Sequence, residues 1–397
     1  MNKKFFYALA LVAGMLTFTS CGDDDDDNSG SSYNGSSTEE ESTDEIASGS
    51  TLQGTITGDV TLTANSSYYI SGEYIVEDGA CLYIEEGVQI TAVYDDIVDY
   101  ILVKQGGKIY AEGTASNPIV MTSEQEVPGA WGGIHICGKA PINAEGGQGN
   151  SEIGGAVYGG DDTNDDSGVL SYVRVEYTGY AFDEEHEANG ITFYGVGNGT
   201  TVDHCEAYMG SDDGFEFFGG SVNVSYMVVV SCADDSFDWT EGWCGDGSHL
   251  VAFQEAESTL GYDCDCLMEA DNNENDYEAT PVSHPTLSDL ILVGNNSTEN
   301  KRGIRLRRGT EVELDGAVIT GKSNCVTLES EQTENALLDG TSSLKNITAD
   351  TELKSENGIY TNEMFEAAGN STTSTISYSS LSDIKSDCSW MSGSWVK

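Results

Sequence analysis

The sequence is poor in proline and in positive charge: its 397 residues include five prolines, and 16 Lys plus Arg stand against 68 Asp plus Glu, a formal net charge of −52. A field this negative repels phosphate backbones and anionic head groups, which argues against nucleic acid and favours divalent cations and neutral or cationic ligands. Beyond Cys21 no apolar run is long enough to cross a membrane, and no stretch holds a helical hydrophobic period. Also missing are a Cys-x-x-Cys pair, a nucleotide-binding loop and a Ser-His-Asp order, which removes the usual zinc, nucleotide and serine-nucleophile chemistries. The ten cysteines include Cys21 and leave nine, so a complete intrachain disulfide set is impossible. Cys205, Cys232, Cys264 and Cys266 suit small buried hydrophobes.

What the chain does have is a short strand that returns with its side-chain parity intact. Gly190-Ile191-Thr192-Phe193, Gly214-Phe215-Glu216-Phe217, Ser236-Phe237-Asp238-Trp239, Leu267-Met268-Glu269-Ala270 and Gly303-Ile304-Arg305-Leu306 alternate an apolar face with a polar one. Asp212-Asp213-Gly214-Phe215 recurs as Asp234-Asp235-Ser236-Phe237, a shift of 22 residues, and the later, longer spacings imply inserted loops. A fixed period of that size built from short strands predicts an all-β, right-handed parallel β-helix of roughly ten turns with a C-terminal cap. An antiparallel sandwich would leave the 22-residue shift unexplained. Stacking then makes Ile191, Phe215, Phe237, Met268 and Ile304 one interior row and Phe193, Phe217, Trp239 and Leu306 the next. The residues between them, Glu216, Asp238 and Glu269, form an acidic column that ends at Arg305.

Residues 1–20 have the composition of an export signal: Lys3 and Lys4 precede an apolar run from Phe5 to Phe18. Phe18-Thr19-Ser20-Cys21 resembles a bacterial lipobox, in which the cysteine receives diacylglycerol and palmitate and becomes the anchored N-terminus. Phe18 and Ser20 depart from the strict motif. Residues 21–50, with Asp23 to Asp27 at their start, are expected to be an acidic disordered tether. Residues 51–329 carry the β-helix pattern, and residues 330–397 are expected to be strands that cap its last turn.

Several motifs extend the resemblance to a family. Gly106-Gly107-Lys108-Ile109-Tyr110-Ala111-Glu112-Gly113 and Trp131-Gly132-Gly133-Ile134 resemble turns of bacterial β-helix surface proteins in general, and Gly159-Gly160-Asp161-Asp162, the run Ser167 to Tyr177, the Asp-Asp-x-Phe pair and Glu269-Ala270-Asp271-Asn272 with Thr280-Pro281 resemble secreted Bacteroidota-type β-helix lipoproteins, often labelled multidrug transporters. The resemblance covers residues 100–325. It implies fold and an outer-membrane, cell-surface location, with the acidic run beside Cys21 resembling the signal for surface export, but it implies no reaction.

Three constellations are chemically interesting. The column Glu216, Asp238, Glu269 and Arg305 is a candidate ligand or cation site if loops roof it, the insertions before Leu267 and Gly303 being the expected roof, and a solvated ladder if they do not. Asp162, Asn164 and Asp166 resemble the start of a calcium loop, although Ser167 stands where a glycine belongs and Val173 where a glutamate belongs. Asp271, Asn272, Asn273, Glu274 and Asp276 form a weaker second set. Finally, Asp212, Asp213, Asp234, Asp235 and Arg305 follow the order of the acid motifs in β-helix hydrolases of the polygalacturonase type, but the Gly-His-Gly of that family is missing and His249 lies between Ser248 and Leu250. The sequence therefore favours a surface binding or adhesin domain for a glycan or a surface partner, with polysaccharide hydrolase or lyase as the alternative and Ca2+ as the one implied cofactor. Mass spectrometry of the mature protein is expected to place the lipid on Cys21, and protease added to intact cells should remove the protein. Protection in intact cells would contradict surface display.

Overall fold

The computed structural model describes residues 43–95, 97–182 and 187–397. Cys21 and the export signal lie outside the described residues, as does most of the expected tether. Each coil contributes short parallel strands that pair with their equivalents one coil before and one coil after, joining 26 strands into a single right-handed β-helix. On the first face Tyr100–Val103, Ile134–Cys137, Ile191–Tyr194, Phe215–Phe218, Phe237–Thr240, Met268–Ala270, Arg302–Leu306 and Asn324–Leu328 follow one another and end on Lys354–Ser355. The second face begins with Asp44–Ile46 and runs through Val60–Leu62, Cys81–Ile84, Lys108–Glu112, Gly168–Ser171 and Thr201–Asp203. The third includes Gln89–Ala92, Ile119–Ser123, Val173–Glu176 and Glu206–Tyr208. From Asn223–Val230 onward a single long strand per coil bends across the corner and serves both of these faces.

The interior rows follow from period and parity. Ile191, Phe215 and Phe237 are in register, as are Met268 and Ile304, and all are buried. Phe193 stacks on Phe217 with ring centroids 5.1 Å apart, and Phe215 on Phe237 at 5.9 Å. Trp239 is a core residue whose indole N–H donates to the Thr310 hydroxyl at 3.0 Å. The nine described cysteines are free thiols, most of them buried.

Corners decide the shape. Between the second and third faces Tyr172, His204, Tyr226, His249, Asp289 and Asn346 occupy equivalent places, all with φ between 50° and 59°. Left-handed backbone costs roughly 1–2 kcal/mol at a residue with a side chain, and stacking offsets part of that. The rings of Tyr172 and His204, His204 and Tyr226, and Tyr226 and His249 lie 4.3, 4.5 and 4.6 Å apart.

Two boundaries differ from the expectation. The strand Asp44–Ile46 already pairs with Val60–Leu62, so the β-helix starts inside the segment read as tether. Its last rungs are Ser343–Ala349 and Lys354–Ser355, well past residue 329. Composition misled here because polar outward positions at a solenoid end look like linker. The cap is also smaller than expected: the helix Asn362–Ala367 closes the end with the fully buried Phe365.

Residues 378–397 do not cap at all. They run back along the third face as a strap, where Ile384, Met391, Trp395 and Val396 cover Val228, Val230, Val251, Phe253 and Val293. Trp395 packs edge-on against Tyr172 and His204, and Trp390 against His249. Charge fixes the far end. Arg174 donates to the carbonyls of Ser394 and Trp395, and the Lys397 ammonium reaches Glu176 at 2.9 Å. The fully buried Glu206, whose carboxyl burial pushes up to about 7, accepts from the Lys397 backbone N–H. Since solenoid coils are held by their neighbours, Trp395→Ala is expected to loosen the strap locally by about 3–5 kcal/mol. Hydrogen exchange should then speed up over residues 378–397 while the ladder strands keep their protection; equal loss everywhere would contradict a separable strap.

Candidate functional site

The acidic column is one of two parallel rows. Each coil presents a residue from just before, or at the start of, the first-face strand and a second residue three places on, within the strand. The pairs are Asn189 with Thr192, Asp213 with Glu216, Asp235 with Asp238, Cys266 with Glu269 and Arg302 with Arg305. Strand register stacks the second members directly, Thr192 on Glu216, Glu216 on Asp238, Asp238 on Glu269 and Glu269 on Arg305. The turn members keep the same step through backbone bonds from Gly190 to Asp213, Gly214 to Asp235 and Ser236 to Cys266. Asp212, Asp234 and Asp265 add an outer rim, and Glu152 and Glu187 complete the lining of a trough of about 380 Å³. Glu152, Glu187 and Asn189 in this lining come from the segment between the strands Ile134–Cys137 and Ile191–Tyr194. The insertions before Leu267 and Gly303 do not supply the roof: of these, Asp265 alone lines the trough, on its rim.

The two ends of the trough are closed differently. At one, Asn189 donates its amide to Glu216 at 2.5 Å and to Thr192 at 3.2 Å. At the other, Arg305 pairs with Glu269 at 2.5 Å and Glu329 at 2.9 Å, Arg307 pairs with Glu269 and with Asp271 at 2.6 Å, and Arg302 reaches Asp265 at 3.3 Å. The middle has no such relief. Asp213 accepts from the backbone N–H of Asp235 at 2.9 Å, and Asp235 from that of Cys266 at 2.7 Å, so each braces the next coil. Among the described residues none of Asp213, Glu216, Asp235 or Asp238 forms an ion pair, and Oδ1 of Asp238 is buried without a hydrogen-bond partner.

Burial, followed by the charges of neighbouring carboxylates, pushes Asp212, Asp213, Glu216, Asp235 and Asp238 well above the ordinary carboxylate range. Asp234, on the exposed rim, is raised to about 6 by the same causes. Oxygens of Asp213, Glu216 and Asp238 lie within 4.8 Å of one another, as do those of Asp212, Asp213 and Asp234 and of Asp234, Asp235 and Asp265. Such all-oxygen groups match hard divalent cations such as Ca2+ or Mg2+. The fourth group, Asp235, Cys266 and Glu269, adds a thiol that favours a softer metal.

The structure therefore brings Glu216, Asp238, Glu269 and Arg305 together with Asp212, Asp213, Asp234 and Asp235, which the sequence had placed in a separate, catalytic reading. The calcium-loop residues lie outside this trough. Asp162 accepts from the Asn164 backbone, Asp166 accepts from Gly168 and pairs with Lys108 at 2.5 Å, and all three side chains are exposed. Asp271 is held by Arg307 and Arg308, while Asn272 donates to the carbonyls of Tyr277 and Ala279. Sequence reasoning missed Asn189, Cys266, Glu152 and Glu187. The repeated spacing of three from Asp213 to Glu216, Asp235 to Asp238 and Cys266 to Glu269 was the signal for the second row.

A family model described as a pectate-lyase like beta helix domain matches residues 54–397. No curated protein and no solved structure matches the chain.

Carboxyls raised in the folded state hold their protons where the unfolded chain, near pH 4, has lost them. Their contribution to stability is thus full below about pH 4 and is lost as pH rises through about 6 and beyond. Without divalent cations the melting temperature is expected to fall from mild acid to pH 8, and millimolar Ca2+ should restore it; a flat profile, equal with and without cation, would contradict the buried acidic trough.

Proposed function

The chain belongs to the pectate-lyase-like β-helix domain family, and from that premise we propose that its trough binds a polysaccharide through a divalent cation held by Asp213, Glu216 and Asp238. The observation that carries this is the buried, unpartnered Oδ1 of Asp238 with carboxylate oxygens of two neighbours close by. A lone buried carboxylate oxygen costs about 1–3 kcal/mol or more, and a cation removes that cost and the mutual repulsion together. Sugar hydroxyls or carboxylates complete the cation's shell from the open side. The residues fit calcium better than a softer metal at this position, because every donor is oxygen. The lipobox-like stretch to Cys21 and the acidic run after it support a lipid-anchored protein facing the cell exterior, where extended glycans are found.

Cleavage is the second reading, favoured by the family and by Asp234. Exposed on the rim and raised to about 6, Asp234 holds a proton in mild acid that it can give to a glycosidic oxygen. The oxygens of Asp212, Asp213 and Asp234 lie within 4.8 Å, closer than the roughly 6.5–9.5 Å that leaves room for a water in an inverting site.

Calorimetry with Ca2+ is expected to show saturable binding that Asp238→Asn weakens at least about tenfold, equivalent to about 1.4 kcal/mol. Binding to immobilised acidic and neutral polysaccharides should then require Ca2+ and fail with a chelator. Glycan binding indifferent to both chelator and Asp238→Asn would overturn the proposal. Release of new sugar ends by native protein, lost in Asp234→Asn with glycan binding kept, would establish cleavage.

A further inference from the structure

A second cavity, of about 510 Å³, lies where the strap meets the corner beyond the third face, with Tyr208, Phe253, Gln254, Glu255 and Asn296 on the solenoid side and Tyr378, Leu381 and Ser382 on the strap. Its size falls within the range of small-molecule sites, roughly 300–1,000 Å³. Much of its polar lining is uncommitted: Glu255, Thr259, Asn296 and Ser382 make no side-chain hydrogen bond among the described residues. Gln254 is 2% exposed, and its amide nitrogen donates to the carbonyls of Asp265 and Cys266 at 3.0 and 3.4 Å. Those two bonds fix which end of the amide is nitrogen, because the flipped form would set oxygen against two carbonyl oxygens. They leave Oε1 of Gln254 buried with no partner.

We propose that this cavity is a saccharide site, taking a neutral hexopyranose unit either free or at the end of a glycan. Tyr208, Phe253, Val230 and Val293 give one side of the cavity an apolar lining for the C–H side of a sugar, while Glu255, Asn296, Ser382 and Thr259 supply acceptors and donors to its hydroxyls. Anions fit poorly. The one cation in the lining, Lys397, is already bound to Glu176 and Tyr177, and Glu255 adds negative charge. A fatty chain fits poorly as well, since amides and hydroxyls make up much of the wall. The site is separate from the acidic trough and needs no cation.

One consequence distinguishes this site from a surface depression. Its ligand touches both the solenoid and the strap, so binding must stabilise the docked strap by linkage. Glucose, galactose, N-acetylglucosamine and cellobiose are the probes, titrated by calorimetry in the presence of a chelator so that trough binding makes no contribution. At least one is expected to bind saturably, to weaken by about tenfold or more in Glu255→Ala and in Asn296→Gly, and to slow hydrogen exchange across residues 378–397. Glu255 is half-buried and Asn296 exposed, glycine suits the left-handed backbone at position 296 (φ 60°), and an unchanged melting temperature checks that the fold is kept. Absence of binding by all four sugars, binding that neither substitution alters, or binding without protection of the strap would each overturn the proposal. Loss of cation-dependent binding in Asp238→Asn, by contrast, bears on the trough alone.

Discussion

Everything in this molecule follows from the register of the parallel ladder. A coil about 4.8 Å above the last places each residue over its equivalent, so a preference expressed once in the sequence becomes a row in space. Apolar rows are self-supporting: Phe193 over Phe217 and Phe215 over Phe237 gain contact area with every coil added. Charged rows are not. Two carboxylates at that spacing repel by about 3.5 kcal/mol at an effective dielectric of 20 and about 0.9 kcal/mol in water. The same register that builds the core thus works against Glu216, Asp238 and Glu269, and the termini of the row show how the protein limits it. An amide, Asn189, closes one end and a set of arginines closes the other.

The strap reflects the same logic on a different face. Outward positions of a solenoid are usually polar, yet Val228, Val230, Val251 and Phe253 form an apolar strip on the third face. Left bare, such a strip is an aggregation hazard. Covering it with residues from the far end of the chain converts a nearest-neighbour structure into one with a long-range tie, since Lys397 lies against Glu176 and Ser394 against Ala115. The tie also reaches the corner ladder, where Trp395 presses on Tyr172 and His204. Rings that tolerate left-handed backbone and indoles that hold them in place are therefore parts of one arrangement.

Periodicity made the fold legible and hid half of the site. The rows through Phe215 and Phe217 could be read from parity alone, because burial on one side of a strand imposes strict alternation. Asp213 and Asp235 were harder to place. They sit in the turn, outside the alternating segment, and a motif-by-motif comparison assigned them to hydrolase chemistry rather than to the wall beside Glu216 and Asp238. Glu152 and Glu187 could not be placed at all, since an inserted segment carries no period that says which face it will line. The strap was illegible for a related reason: Trp390 and Trp395 are spaced like neither a strand nor a helix, and their partners on the corner ladder lie about 140 to 220 residues away.

Where the counter-charge sits decides what the trough can do. Arg302, Arg305 and Arg307 are committed to Asp265, Glu269, Asp271 and Glu329. They neutralise the end of the row and, among the described residues, form no ion pair with Asp213, Glu216, Asp235 or Asp238. Had the same arginines been spread along the column, each acid would be paired, and the face would be an inert ladder of salt bridges. Concentrated at one end, they produce a gradient: basic at Arg305, compensated at Glu269, uncompensated from Asp238 to Asp213. Such a field would favour a small cation at the middle coils over one beside the arginines, while the exposed Asp234 leaves the rim accessible to a larger molecule. A proton could relieve part of the repulsion, but each proton neutralises one oxygen and a divalent ion neutralises several at once. For buried oxygens grouped within 4.8 Å of one another, the ion is the more effective relief near neutral pH.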